Sequence, residues 1–194
     1  MLNHLIQFRS RDDAIHLTFD DGPHPDHTPR ILDALAAHDA RATFFVVGHL
    51  AEKYPKIVER IGAEGHTVAN HTWTHTSLLF KRLAFIRQEV AETDRIIATI
   101  VGSKPLLFRP PHGRFGVNVL RCMHENRQRM VLWNNSTGDY KSNRHPESIA
   151  SQILNAYPGS ILLLHDGHKN SAKTVAGLKK ALKRGIALPL RALE

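Results

Sequence analysis

Cysteine is nearly absent from this chain, with Cys122 alone among 194 residues. A single thiol makes no internal disulfide and no multi-cysteine zinc site, and it reads as a small buried hydrophobe rather than a nucleophile. Long apolar runs are missing too. The longest candidates, such as Ile161 to Leu164, are strand-sized and far short of the roughly 20 residues a membrane span requires, so a soluble protein without a span is expected. The stretch from Met1 to Arg11 has only an interrupted apolar segment and does not read as a secretory signal. The expectation is a cytoplasmic chain or a trimmed secreted or cell-wall form. Linkers, low-complexity tracts and internal repeats are likewise lacking, which leaves one domain over residues 1–194.

Acidic residues are outnumbered, 18 against 26 Lys and Arg, for a formal charge of +8. Such an excess favours anionic surfaces, but the cations are scattered along the sequence. Their densest cluster, Lys179, Lys180, Lys183 and Arg184, stands at the end of an expected helix, where it complements the helix dipole. Specific nucleic-acid binding is therefore not expected.

What is present is a 42% hydrophobic fraction, enough for one sizeable core. Short β-branched segments alternate with stretches of helical period, the pattern of β/α units on a parallel sheet. Strands are expected at Ala14–Phe19, Ala42–Val47, Thr67–Asn70, Leu106–Phe108, Met130–Trp133, Ser160–Leu164 and Ile186–Leu188. Helices are expected around Ile31, Leu32 and Leu35 with Thr28 as cap and Pro29 in the first turn, around Ile57, Val58 and Ile61, and from Leu83 through Val101. Others carry Val117 and Leu120, Ile149, Ile153 and Tyr157 after Pro146, and Val175, Leu178 and Leu182. The fold class is α/β, a distorted (β/α) barrel with about seven parallel strands.

Five polar stretches stand at the carboxyl ends of these strands, which converge on one face of such a barrel. Asp20 and Asp21 are adjacent carboxylates in a turn-forming context. His71 and His75 are four apart, expected on one side of a helical turn with both rings able to reach one ion; with one carboxylate they make a three-ligand set. Arg109 precedes Pro110 and Pro111, whose stiff turn presents the amide of His112 or Gly113 to a ligand. Trp133 to Tyr140 brackets polar residues with aromatics suited to stacking on sugar rings. His165 ends an apolar strand, where a general acid would sit. The remaining histidines, among them His4, His16, His66 and His168, read as surface or turn residues.

Together, TFDDGP at 18–23, NHTWTH at 70–75, FRPPHG at 108–113, WNNSTGDY at 133–140 and LLLHDG at 162–167 resemble, in order, the motifs of the polysaccharide deacetylase family, the NodB-like carbohydrate esterases. The resemblance runs from about Ala14 to the carboxyl terminus. It implies a NodB-homology barrel that hydrolyses N-acetyl groups of N-acetylglucosamine-containing glycans, oligo- or polysaccharides of chitooligosaccharide or peptidoglycan type. It also implies a divalent metal, zinc first, with cobalt, nickel and manganese as alternatives. By position, Asp21, His71 and His75 match the metal ligands, Asp20 the general base, Arg109 the residue orienting it, and His165 with Asp139 the acid and its partner. His112, Pro111, Tyr140, Leu163 and Trp133 fall in the substrate pocket. His112 stands where tyrosine is usual, and Tyr140 where tryptophan is frequent. Action on another sugar scaffold, as an O-acetyl xylan esterase or sugar deformylase, and a carbohydrate-binding pseudoenzyme stay open as alternatives.

Overall fold

The computed structural model describes residues 5–194; His4 and the first residues of the Met1–Arg11 stretch lie outside them. Eight strands appear in the described residues: β1 (Ile6–Gln7), β2 (His16–Asp20), β3 (Thr43–Val46), β4 (Thr67–Asn70), β5 (Leu107–Phe108), β6 (Arg129–Val131), β7 (Asn135–Ser136) and β8 (Ile161–His165). All pair in parallel, in the order β1-β6-β5-β4-β3-β2-β8-β7. Seven α-helices in the described residues cover the outside: α1 (His27–Ala36), α2 (Gly48–Lys53), α3 (Pro55–Ala63), α4 (Leu83–Val101), α5 (Val117–Asn126), α6 (Pro146–Leu154) and α7 (Ser171–Arg184).

The curl of the sheet follows from its connectivity. β6 and β7 are six strand positions apart, which on a flat sheet is about 29 Å. Only Leu132, Trp133 and Asn134 join them, a span of at most about 14 Å. The sheet must roll until its edges approach. At the seam the Leu132 amide donates to Gln7 O in β1, at 2.8 Å, while Asn134 Oδ1 accepts the amide of Ile161 in β8, at 2.9 Å.

Alternation along each strand separates inside from outside. Phe45, Ala69, Leu107, Val131 and Ile161 form an interior cluster that Leu193 joins. Leu17, Phe19, Phe44, Val46, Leu162 and Leu164 face outward into a larger core with the apolar stripes of α1, α3, α6 and α7. Along α4, Ile86, Val90 and Ile97 are buried, each worth about 1.5–3 kcal/mol in burial. Cys122 is fully buried on α5, as its composition suggested. No helix among the described residues is long and apolar enough to cross a membrane.

Several expectations need correction. Residues 186–188 form no strand; the β-pairing of this segment is a single bridge between Leu190 and Ile15, because Pro189 supplies a carbonyl but no donor to a ladder. β1, β7 and α2 were not expected: two are two-residue strands and the third is a six-residue helix, too short to show a period. Thr28 does not cap α1, which begins at His27. Its hydroxyl accepts from the His24 amide and donates to Asp166 instead. Tyr157 lies beyond α6, and Trp133 beyond β6. His16 and His66 are buried rather than superficial; His16 faces the interior, with Nδ1 bonded to Arg191 O at 3.0 Å and Nε2 to Asp12 at 2.9 Å.

Candidate active site at the carboxyl ends of the strands

Register brings the five polar stretches together. Asp20 pairs with His165 across β2 and β8, Val46 with Asn70, and Asn70 with Phe108, so the residues that follow these strand ends open onto one mouth. Backbone strain gathers there as well. Asp21, Thr72, His75 and His112 all adopt positive φ, at 73°, 70°, 59° and 60°, conformations that cost a non-glycine residue of order 1–3 kcal/mol and concentrate at functional sites.

Arg109 is fully buried and uses its planar fork in three directions. Nη1 donates to Asp20 Oδ1 at 2.7 Å and to Thr18 Oγ1 at 2.8 Å, while Nε and Nη2 donate to the carbonyls of Val131 and Leu132, both at 3.1 Å. The guanidinium lies 4.0 Å from the Phe45 ring centroid. One carboxylate oxygen of Asp20 is thus fixed, and the other stands 3.7 Å from His71 Nε2.

His71 and His75 meet across an irregular loop, not on a helical turn: the segment after β4 is non-helical, and the amide of His75 is held by Thr72 Oγ1. His71 Nδ1 donates to Arg109 O at 2.7 Å, so the Nε2 of the neutral ring presents a lone pair. Asp21 Oδ1 lies 3.0 Å from His75 Nε2 and 3.6 Å from His71 Nε2. The three donor atoms fall within 4.8 Å of one another, and tetrahedral ligands about 2.0–2.2 Å from zinc stand about 3.3 Å apart. A carboxylate oxygen and two imidazole lone pairs turned on one point repel unless a cation lies between them. The donor set therefore fits a divalent ion. Burial works against the charge of Asp21, but with the rings protonated, hydrogen bonds from His71 and His75 and the charges of His71 and His165 hold its carboxyl well below the usual carboxylate range.

Across the mouth, His165 Nδ1 donates to Asp139 Oδ1 at 2.9 Å. Asp139 Oδ2 accepts from the His165 amide and the Thr174 hydroxyl, both at 2.7 Å. Burial disfavours the imidazolium, yet the bond to Asp139 and the charges of Asp139, Asp20 and Asp21 push its pKa up to about 9. Tyr140 stands edge-on to this ring at 5.7 Å and is 44% exposed. Pro111 and Leu163 are buried, Trp133 is partly buried beside the Arg109 guanidinium, and His112 packs edge-on against His75 at 4.9 Å. Burial and the neighbouring His75 lower the His112 pKa.

The sequence marks no site role for Thr18, Thr174, Thr28 or Asp166. Thr18 and Asp166 lie inside the motifs at 18–23 and 162–167, Thr28 has the signal of a helix cap, and Thr174 carries none beyond a polar residue on the buried side of α7. Asp166, pushed up to about 7 by burial against the bond from Thr28, sits where the loops after β2 and β8 touch. A Cβ on Gly22 would fall 2.2 Å from the side-chain Oδ2 of Asp166, and one on Gly167 would fall 1.9 Å from Asp21 O, so glycine at 167 is what lets the two backbones approach.

Comparison with known proteins agrees with this geometry. A family model for polysaccharide deacetylase matches residues 9–131. A peptidoglycan-N-acetylglucosamine deacetylase of Bacillus cereus is 37% identical over 184 residues, covering 90% of this chain and 66% of the relative. The chain thus spans just under two thirds of that protein's length. A chitooligosaccharide deacetylase of Azorhizobium caulinodans is 34% identical, over 86% of this chain and 80% of its own. Among solved structures, a peptidoglycan N-acetylglucosamine deacetylase bound to a naphthalenyl N-oxidanyl-benzamide superposes with a TM-score of 0.88 at 34% identity, covering 94% of this chain and 86% of that one. A mutant family 4 carbohydrate esterase pseudoenzyme with restored activity superposes at 0.83 and 26% identity, over 93% and 66% of the two chains. With the eight-stranded parallel barrel and the ordered strand-end motifs already in place, these matches make the chain a member of the polysaccharide deacetylase family.

Proposed function

We propose that the protein is a metal-dependent hydrolase that removes acetyl groups from N-acetylglucosamine units of a peptidoglycan or chitooligosaccharide type of glycan. One observation carries this reading: an oriented carboxylate, an imidazole with a raised pKa and a three-donor metal set open on the same mouth. Asp21, His71 and His75 would hold the ion, zinc by preference. When bound, such an ion supplies Lewis acidity toward a carbonyl oxygen and toward water.

The chain's own groups divide the remaining work. Arg109 fixes Asp20 Oδ1, leaving Oδ2 to take the proton of the attacking water. The His112 amide, directly after the two prolines, donates to the oxyanion as it develops, a contribution of about 2.7–4 kcal/mol per donor in known sites. His165, protonated at neutral pH, gives its Nε2 proton to the departing amine while Asp139 keeps Nδ1 as a donor. Leu163, Pro111 and Trp133 enclose the acetyl group, and Tyr140 stands beside the sugar.

Both relatives named above are deacetylases of such glycans, which supports the N-acetyl reading over an ester or a formyl group. Retention of Asp20 and His165 with their supports favours turnover over a binding-only role. The test is acetate release from N-acetylglucosamine oligomers, peptidoglycan fragments and acetylated xylan by zinc-loaded protein. Release from none of them, with zinc bound, would reject the proposal.

A further inference from the structure

The amino-terminal ends of the strands form the floor of the barrel, opposite the mouth just described. A cavity of about 910 Å³ opens there, and five arginines line it: Arg9, Arg11, Arg41, Arg129 and Arg191. They are distant in sequence, so the scatter of positive charge noted above does not survive folding. We propose that this cavity binds a polyol or sugar phosphate, its arginines taking the phosphate and its polar floor taking a neighbouring hydroxyl.

The charge balance supports an anion. Only two acidic residues, Asp12 and Glu194, share the lining with the five guanidinium groups, and Asp12 is already bonded to His16 Nε2. Two of the arginines have acidic partners that are themselves largely in solvent: Arg41 lies 3.3 Å from Asp39, which is 94% exposed, and Arg191 lies 3.7 Å from Asp13, which is 80% exposed. Pairs of that kind hold a side chain weakly and release it readily to a ligand. Arg9 gives one nitrogen to Pro158 O and keeps the rest of its fork.

Two buried atoms sharpen the chemistry. Arg129 Nε is buried and has no hydrogen-bond partner among the described residues, and the same is true of Gln7 Oε1. Gln7 stands opposite Val131 in the β1–β6 register, so it shares a sheet face with Arg129, two residues away. Buried polar atoms are satisfied in nearly all folded proteins. Here one is a cationic donor and the other an acceptor. A phosphate oxygen meets the first, in the geometry for which a guanidinium is suited, and a hydroxyl meets the second. The cavity, at about 910 Å³, has the size of an ordinary ligand site and leaves room for a polyol or sugar beside the phosphate.

The experiment is calorimetric titration of chelator-treated protein at low salt with glycerol phosphate, inorganic phosphate and glycerol. Glycerol phosphate should bind, inorganic phosphate more weakly and glycerol not at all, with affinity falling as salt rises. Arg129→Gln should weaken binding by roughly tenfold to a hundredfold. Because that side chain is partly buried, the double variant Arg11→Ala/Arg41→Ala, at an exposed and a half-exposed position, gives a second reading and should weaken it by about tenfold. Glycerol phosphate that fails to bind overturns the proposal. So does affinity unchanged in both arginine variants, or affinity that vanishes with Asp21→Ala and so belongs to the mouth.

Discussion

Replacing Asp139 with Asn tests how His165 is kept ready to give up a proton. Asp139 Oδ2 is tied to two fixed donors, the His165 amide and the Thr174 hydroxyl, and Oδ1 faces His165 Nδ1. An Asn that keeps its oxygen on those donors must turn its NH₂ toward Nδ1, which then has to accept. The imidazolium, a donor at both nitrogens, no longer fits. The gap between an ordinary histidine at 6.5 and about 9 for His165 corresponds to about 3 kcal/mol, and Asp139 supplies most of what outweighs burial. With that support gone the ring returns to the ordinary range or below. At about pH 8 the protonated fraction then falls from most of the molecules to a few per cent, and acetate release by roughly 30-fold, with a smaller loss at about pH 6. Stability has the same sign. A folded pKa above the unfolded one stabilises fully below about 6.5, and that contribution is lost as pH rises through about 9. Urea unfolding of chelator-treated wild type and Asp139→Asn should therefore differ most near about pH 6 and converge near about pH 10. A gap constant across that range, or a His165 ring resonance that still titrates near 9 in the variant, refutes the reasoning.

Three further outcomes are expected. Zinc should raise the thermal midpoint of the wild-type protein, by the equivalent of about 2.7 kcal/mol at a hundredfold excess over Kd, and should leave Asp21→Ala unmoved; an equal rise in both excludes the proposed ligand set. Arg109→Met leaves Asp20 buried without its partner and should cost about 3–5 kcal/mol in denaturant unfolding, besides abolishing acetate release; a variant as stable as wild type contradicts the geometry. Gly167→Ala should lose both stability and zinc affinity, since its Cβ meets the Asp21 carbonyl, whereas Gly116→Ala, with nothing within 4 Å, should keep its zinc affinity. Equal behaviour of the two in zinc titration and unfolding rejects the close approach of the loops.

How much of this could be read in advance depends on the kind of signal. Central strands such as β3 and β8 announce themselves because both faces are buried and their residues are mostly apolar in succession. β1 and β7 do not, since Ile6–Gln7 and Asn135–Ser136 carry too few residues for any period and owe their pairing to the seam. The donor set of Asp21, His71 and His75 was legible as residue types at strand ends, but its conformation was not: a spacing of four suggests a helical turn, while the loop reaches the same convergence through positive φ at Thr72 and His75. His16 shows the opposite error. A lone histidine in an apolar strand has no sequence mark of burial, and only the carbonyl of Arg191 and the carboxylate of Asp12, one of them 175 residues away, explain its place. The arginines of the floor were invisible as a group for the same reason.

Arg109 holds more than a carboxylate. Its other two hydrogen bonds go to Val131 and Leu132, the last residue of β6 and the first of the three that carry the chain across the seam. The same guanidinium that aims Asp20 is therefore the clasp that keeps the rolled sheet shut at its active end. Any motion that opened the seam would swing Asp20, the proposed base, out of line, and a chain with Asp20 misplaced would lack the clasp. Closure of the barrel and the aim of Asp20 are in this way one cooperative event: if Asp20 is the base, partly folded molecules should be inert rather than sluggish.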